Sequence, residues 1–380
     1  MKTLVKTEKA KLPAAIAKVA KTDNTIEELK GYLILRGGEN TITAEGNNPD
    51  ITIASTIPAM VENPFEIAVS AHFLGLVIKS LPSDIVEIEI DDETRKMTVK
   101  NGDSCTKLAY TDAASFPKYQ DGNATVSFAV PRELIRELFR KTLVATASKD
   151  DCRSVLQGIL FRISKEALKA VATNGRILSE ITIERQLIDD GQFDIIIPYE
   201  ACRIIGDKNW FADNAPVKVD LFCSKDNQPK KVAFSCGNTR ICTKLVCDEY
   251  PNYSVVIPKE VDNPIKVNLA VLLEAVKRAS IFSYSDYAGY VVLTFETDGN
   301  LHVESQQSAI GKYDEIIAVG YCGGKMRVSL PSKLLISILS ALDEDVIYFH
   351  ITSPERPILL TMSIPMLVVI CPIRDIANEQ

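Results

Sequence analysis

Leu134, Ile135, Leu138 and Phe139 recur three and four residues apart, and Arg132, Arg136 and Arg140 recur between them at i, i+4 and i+8. This spacing puts the apolar side chains on one helix face and the cations on another. It predicts a helix over 132–146, opened by Pro131, whose missing N–H costs nothing at a helix start. Before it, residues 126–130 alternate apolar and polar as a half-buried strand does; after it, 158–163 and 168–172 read as strands. The plan then repeats, with a strand at 193–198, a helix at 200–207 and strands at 217–222 and 231–234. Leu12, Ile16 and Val19 give one helix face early in the chain, and Phe73, Val77 and Ile78 a second. Leu269, Leu272, Leu273 and Val276, then Leu334, Leu335, Ile338 and Leu339, give two more near the end. Six short helices result, two in each third, among strands separated by turn pairs such as Asn101-Gly102. The class is α+β, with antiparallel sheets and helices on one side of each.

The thirds share more than a plan. Gly31-Tyr32-Leu33-Ile34, Gly158-Ile159-Leu160-Phe161 and Gly289-Tyr290-Val291-Val292 lie 127 and 131 residues apart. Solenoid and propeller repeats run about 20–50 residues, so this period marks whole domains. Lys107-Leu108 with Phe116-Pro117 closes the first third, and Lys244-Leu245 with Tyr250-Pro251 closes the second. The expected domains are 1–123, 124–257 and 258–380.

Composition narrows the class. Apolar residues are 46% and charged residues 24% of the 380, ordinary globular values. The longest apolar run, 362–373, is broken by Ser363, Pro365 and Pro372 and falls short of the ~20 residues of a membrane helix. It reads as a buried strand. The start of the chain lacks the apolar stretch of a secretory signal. The nine cysteines are scattered without a C-x-x-C pair, which reads as free thiols in a reducing cytoplasm and not as a metal site. His72, His302 and His350 lie in no catalytic motif, and Gly323-Gly324-Lys325 lacks the rest of a phosphate loop. Neither an enzyme nor a cofactor protein is expected.

The net charge of −7, taken as a sum, argues against nucleic acid. Its distribution argues the other way. Lys11, Lys18, Lys21, Lys79, Arg132, Arg136, Arg140, Lys141, Arg203, Lys208, Lys277, Arg278 and Lys333 all fall on or beside the helices. On any one helix this is a solvated face, with Glu133–Arg136 and Glu137–Arg140 pairs. Repeated over six helices, it reads as one basic surface that touches phosphates without reading bases.

Arg153-Ser154-Val155-Leu156-Gln157-Gly158, Val171-Ala172-Thr173-Asn174-Gly175 with Leu178, Lys244-Leu245 with Tyr250-Pro251-Asn252-Tyr253, and the closing Cys371-Pro372-Ile373-Arg374 occur in order along the chain. In these segments, and along essentially its whole length, the sequence resembles the bacterial DNA polymerase III β subunits, the sliding clamps. The resemblance implies three tandem DNA-clamp domains, each with antiparallel sheets outside and two helices inside, in a ring-shaped head-to-tail homodimer. It implies a non-catalytic processivity factor that encircles double-stranded DNA, with the basic helix residues facing the duplex. It further implies that a polymerase catalytic subunit, a clamp loader and other clamp-binding-motif proteins insert an apolar peptide between the second and third domains. The residues matched to that pocket are Leu156, Thr173, Gly175, Arg176, Leu178, Pro251, Val255, Val256, Pro357, Val369, Ile370, Cys371, Pro372, Ile373 and Arg374. Thr106, Leu108, Ile281 and Phe282 are matched to the dimer interface.

The chain also departs from the family pattern. Arg176-Ile177 stands where His-Arg is usual, so one pocket cation has moved by a position. Asn24 and Glu28 occupy a stretch that usually holds a proline and an arginine. Leu330-Pro331 replaces a usual Phe-Asn, Thr106 replaces an aromatic, and Asp375 to Gln380 extend the tail. These departures motivate one alternative, a divergent clamp-like scaffold that binds partner peptides but forms a weak ring.

Overall fold

The computed structural model of the chain describes residues 2–21, 30–116, 122–148, 153–207, 210, 215–259, 264–282, 289–305, 311–321 and 323–373. The first third contains β1 (Lys2–Glu8), α1 (Leu12–Val19), β2 (Tyr32–Gly37), β3 (Thr41–Asn47), β4 (Ile51–Val61), β5 (Phe65–Ser70), α2 (Ala71–Ser80), β6 (Ile85–Asp91), β7 (Lys96–Asn101) and β8 (Ser104–Asp112). The second contains β9 (Val126–Val130), α3 (Arg132–Leu143), β10 (Gly158–Ser164), β11 (Ala167–Thr173), β12 (Ile177–Glu184), β13 (Gln192–Pro198), α4 (Tyr199–Gly206), β14 (Val217–Cys223), β15 (Pro229–Cys236) and β16 (Thr239–Lys244). The last contains β17 (Ile265–Asn268), α5 (Leu269–Ser280), β18 (Tyr290–Phe295), β19 (Asn300–Ser305), β20 (Asp314–Ala318), β21 (Met326–Pro331), α6 (Ser332–Ala341), β22 (Val346–His350), β23 (Ile358–Thr361) and β24 (Met366–Ile370).

Strand order turns the sequence repeat into a fold repeat. Each third gives a four-strand run built from its first, sixth, seventh and eighth strands: β1-β6-β7-β8, β9-β14-β15-β16 and β17-β22-β23-β24. Each also gives a run built from its fifth, second, third and fourth: β5-β2-β3-β4, β13-β10-β11-β12 and β21-β18-β19-β20. Neighbouring thirds are joined the same way twice. β4 pairs antiparallel with β16, and β12 with β24, the last strand of one run meeting the last strand of another. β1 also pairs with β4, so the eight strands of the first third close on themselves.

The repeated glycines share one task, since each meets the start of its third's second helix. The carbonyl of Gly31 accepts the Ala71 N–H at 2.9 Å, and that of Gly289 accepts the Ser332 N–H at 3.0 Å. Gly158 pairs with Pro198, the residue before α4. Space also dictates the residue there, because a Cβ on Gly158 would stand 2.6 Å from the Ile197 carbonyl oxygen. The turn at Asn101-Gly102 is offset from expectation. Gly102 takes φ +57° at the first central position of a two-residue hairpin, whereas Asn101 ends β7 with its amide bonded to Ser83 and Ile85.

Contacts divide the chain into two compact units, 1–136 with 204–245, and 137–203 with 246–380, two of the three divisions falling inside α3 and α4 and the third just after β16. In the first unit α1 and α2 pack on each other, α1 burying Leu12, Ala15, Ile16 and Val19 against β3 and β4. In the second unit α5 packs on α6, and Leu272, Ala275, Val276, Leu335, Ile338 and Leu339 are buried. Each fully buried Leu or Ile removes enough apolar surface for roughly 1.5–3 kcal/mol. The α2 phase differs from expectation. Leu74 and Ile78, four apart, point inward, which turns Phe73 outward at 60% exposure. α3 ends at Leu143, three residues short of the expected 146, and Pro131 precedes it, its carbonyl accepting the Ile135 N–H at 3.2 Å. Of the long apolar run, Met366–Ile370 forms the strand.

Candidate functional site

The junction of β12 with β24 carries a cavity of about 170 Å³ within the second unit. Its wall is Arg153, Leu156, Thr173, Gly175, Arg176, Ile177, Leu178, Pro251, Asn252, Tyr253, Val256, Val369 and Cys371. Leu156, Leu178, Tyr253 and Val369 belong to one core cluster with Leu160, Val171 and Leu359, so the cavity floor is the open edge of a packed core. A small apolar hollow with few polar groups suits an apolar side chain held in one orientation.

Local chemistry fixes the rim. Between β11 and β12 the Asn174 side-chain oxygen accepts the N–H groups of Arg176 and Ile177, both at 3.0 Å. This asparagine-capped turn leaves Gly175 at φ +83°, where a side chain would be strained. The Thr173 hydroxyl donates to the Ile177 carbonyl at 2.7 Å and accepts the Gly175 N–H at 3.1 Å. The Thr173 N–H donates to the Tyr250 hydroxyl at 3.1 Å. Burial pushes the Tyr250 phenol well above its ordinary value, and burial also raises Tyr253 to about 12. The nearby Glu180 carboxylate is held by Lys169 at 2.8 Å. Both phenols therefore stay protonated at neutral pH. Burial likewise raises the Cys371 thiol.

Nine of the expected pocket residues lie in this wall: Leu156, Thr173, Gly175, Arg176, Leu178, Pro251, Val256, Val369 and Cys371. Val255 does not, and stands 72% exposed. Residues 253–256 form a turn of 3₁₀ helix, in which Tyr253 and Val256, three apart, share the face toward the cavity. Ile370 is fully buried, because strand alternation turns it away from the side that Val369 presents. Pro357, Pro372 and Ile373 also lie off the wall; the Ile373 N–H is bonded to the Ser329 carbonyl at 2.8 Å. Arg374 lies outside the described residues. Sequence reasoning left Arg153, Ile177, Asn252 and Tyr253 out of the pocket. The three-residue step from Tyr253 to Val256 was the available signal.

The helix cations have a different setting. Lys18 is buried with its amine 3.0 Å from the Thr239 hydroxyl, and the Lys141 side chain is only 3% exposed beside Glu137. Both are corrections to the expected basic surface, since their helical phase turns them inward. Most of the others are matched by carboxylates. Lys11 pairs with Glu8 at 2.9 Å, Lys21 with Asp207 at 2.6 Å, Arg203 with Glu200 at 3.0 Å and Lys277 with Glu274 at 2.8 Å. Glu133 serves both Arg132 and Arg136. Arg140 pairs with Asp343, not with the expected Glu137. Arg278 is forked on Glu315 at 2.7 Å and bonded to the Tyr313 hydroxyl. These pairings hold Glu133, Glu274 and Glu315 below the usual carboxylate range, through hydrogen bonds from Arg132, Lys277 and, for Glu315, Tyr313 followed by Arg278. Lys79 and Lys333 stand exposed on α2 and α6, and Lys208 lies outside the described residues.

Among the described residues β9, β13, β17, β20 and β21 each pair on one side only, and two edges, on β20 and β8, fall at the ends of the junction series. β20 pairs only with β19. β8 pairs with β5 only through Tyr110–Asp112, which leaves 104–109 unpaired on that side. Thr106 and Leu108 sit half-buried on β8; Ile281 at the end of α5 and Ile316 on β20 are 69% and 59% exposed. Phe282 is half-buried, its ring against the Gly311 backbone. Among the described residues no helix is long and apolar enough to cross a membrane.

Comparison with known proteins agrees with this architecture. Family models of the DNA polymerase III beta subunit match its N-terminal domain at residues 3–120, its central domain at 129–252 and its C-terminal domain at 254–364. The beta sliding clamp of Bacillus subtilis is 24% identical over 354 residues, and that of Pseudomonas aeruginosa 23% over 350, with 91% of each chain covered in both cases. The crystal structure of the B. subtilis DNA polymerase sliding clamp superposes with a TM-score of 0.89 at 22% identity, covering 99% of this chain and 100% of that one. The beta subunit of Streptococcus pyogenes DNA polymerase gives 0.89 at 22% identity, covering 98% and 100%. Three successive clamp domains along one chain, on this strand order, place the chain in the DNA polymerase III beta subunit family.

Proposed function

We propose that the chain is a sliding clamp, two copies of which close head to tail around duplex DNA and tether a polymerase. The observation that carries this reading is the repeated junction. β4 pairs with β16 and β12 with β24, and in the same series β20 has, among the described residues, no partner beyond β19. The strand equivalent to β16 and β24 in the first third is β8, whose 104–109 edge is open. An open edge offers main-chain donors and acceptors to another strand. The β20 edge of one copy therefore takes the β8 edge of the next, with Ile281, Phe282 and Ile316 facing Thr106 and Leu108. Two unlike patches give a head-to-tail contact, which forms a ring when the rotation closes.

The three domains, 1–123, 124–257 and 258–380, then supply six units of sheet and helix pair in the closed dimer. Lys11, Lys21, Lys79, Arg132, Arg136, Arg140, Arg203, Lys277, Arg278 and Lys333 face the duplex and contact phosphates without reading sequence. The cavity at the β12–β24 junction receives an apolar peptide from a polymerase catalytic subunit, a clamp loader or another partner bearing such a motif. The protein needs no chemistry of its own and works in the cytoplasm as an accessory subunit.

Light scattering on the purified chain at micromolar concentration tests the assembly. The expected mass is twice 41.9 kDa. A strict monomer would overturn the stable ring and favour the weak-ring scaffold, which the self-paired helix cations would also suit.

A further inference from the structure

The two junctions within the chain are built alike but charged differently. At the first, the Asn48 side-chain oxygen accepts the N–H groups of Asp50 and Ile51, and the Asp50 carbonyl accepts the Lys244 N–H. At the second, the Asn174 side-chain oxygen accepts the N–H groups of Arg176 and Ile177, and the Arg176 carbonyl accepts the Cys371 N–H. Asp50 and Arg176 are therefore equivalent positions, as are Lys244 and Cys371. At the first junction the two side chains form an ion pair at 3.3 Å. At the second the acid has become a guanidinium and the amine a neutral thiol. Among the described residues Arg176 has no carboxylate partner, and the cavity wall contains two arginines and no acid. The Arg153 guanidinium lies across the same turn, 3.3 Å from where a Cβ on Gly175 would stand.

We infer that Arg176 is a specificity residue that selects peptides bearing a carboxylate beside the apolar anchor, the partner supplying the counter-charge that the first junction supplies for itself. The inference rests on the cavity being the partner-peptide site. The carboxylate can be an acidic side chain or a chain end, since the guanidinium fork accepts either. Arg176 is exposed, so the gain is that of a surface ion pair, about two- to fivefold in affinity, and it weakens as salt screens the charges.

The test is calorimetry on the full-length protein with three acetylated peptides. One is Ala-Asp-Leu-Leu-Phe-amide, the second replaces Asp with Asn, and the third is the Asn peptide with a free C-terminal carboxylate. The expected result is tighter binding of the first or third than of the second, the stronger one naming the source of the carboxylate. Arg176→Gln should abolish that preference, and Arg176→Glu should invert it. Equal binding of all three to the unaltered protein overturns the inference and leaves the docking site standing. If none binds, the docking reading falls and takes the inference with it.

Discussion

The cations of the helices and the cation at the cavity rim sit in opposite electrostatic settings. Arg132, Arg136, Arg140, Arg203, Lys277 and Arg278 each lie against a carboxylate of their own chain. Arg176 faces a wall with no acid. A self-paired cation touches a phosphate only by giving up a partner it already has, so in the proposed clamp the helix faces would hold DNA loosely, as a surface that must slide requires. A cation with no carboxylate partner among the described residues would instead reward one particular ligand. On the proposed function, the same residue type would serve weak general contact in one region and selective contact in the other.

The largest test of this contrast is on the pocket side. Val256→Asp puts a charge in the cavity wall at a position exposed enough to spare the fold. Peptide affinity should drop about a hundredfold, equivalent to ~2.7 kcal/mol; affinity retained in calorimetry would move the docking site elsewhere. Next is Tyr250→Phe, which strips the Thr173 N–H of its acceptor. A loss near 1 kcal/mol in denaturant unfolding, with weaker peptide binding, is expected. On the helix side, Glu133→Gln with Glu274→Gln removes the carboxylates paired with Arg136 and Lys277 and one partner of Arg132. DNA affinity should then rise about two- to fivefold and the salt slope steepen, as read by anisotropy at two salt concentrations. No change would mean that these cations do not face DNA.

The smallest effect is at Cys371. Burial raises its thiol, so the thiolate is scarce at neutral pH, and alkylation should run slower than at exposed Cys105 and reach its midpoint above a thiol's ordinary value. The neutral thiol is favoured in the folded protein. Its contribution to stability is thus present below the unfolded thiol's ordinary value and is lost as pH climbs through the folded one. Bound peptide should slow the alkylation further, and an unchanged rate would remove Cys371 from the contact.

The elements were legible because their periods are strong. The helix at Arg132 and the strand at Gly158 follow from spacing alone, and the glycine repeat foretold a fold repeat. Side-chain direction was less legible. Lys18 and Lys141 read as surface cations because lysine is usually exposed, yet each sits one position from a buried stripe and turns inward. Arg140 pairs with Asp343, 203 residues away, which no local pattern announces. The pocket residues came from the family resemblance. The structure separates Val369 from Ile370, and Val256 from Val255, by strand alternation and 3₁₀ pitch. The likeness between the Asn48 and Asn174 turns was present in the chain, but the charge exchange across it acquired meaning only once Lys244 and Cys371 were seen at the same place.

The central claim is topological, and retention on circular DNA tests it most directly. With a clamp loader and ATP, the protein should load onto nicked circles, survive a high-salt wash because closure and not affinity holds it, and leave when the circle is cut. Retention that is unchanged by cutting, or lost in high salt while the circle is intact, would contradict a ring around the duplex.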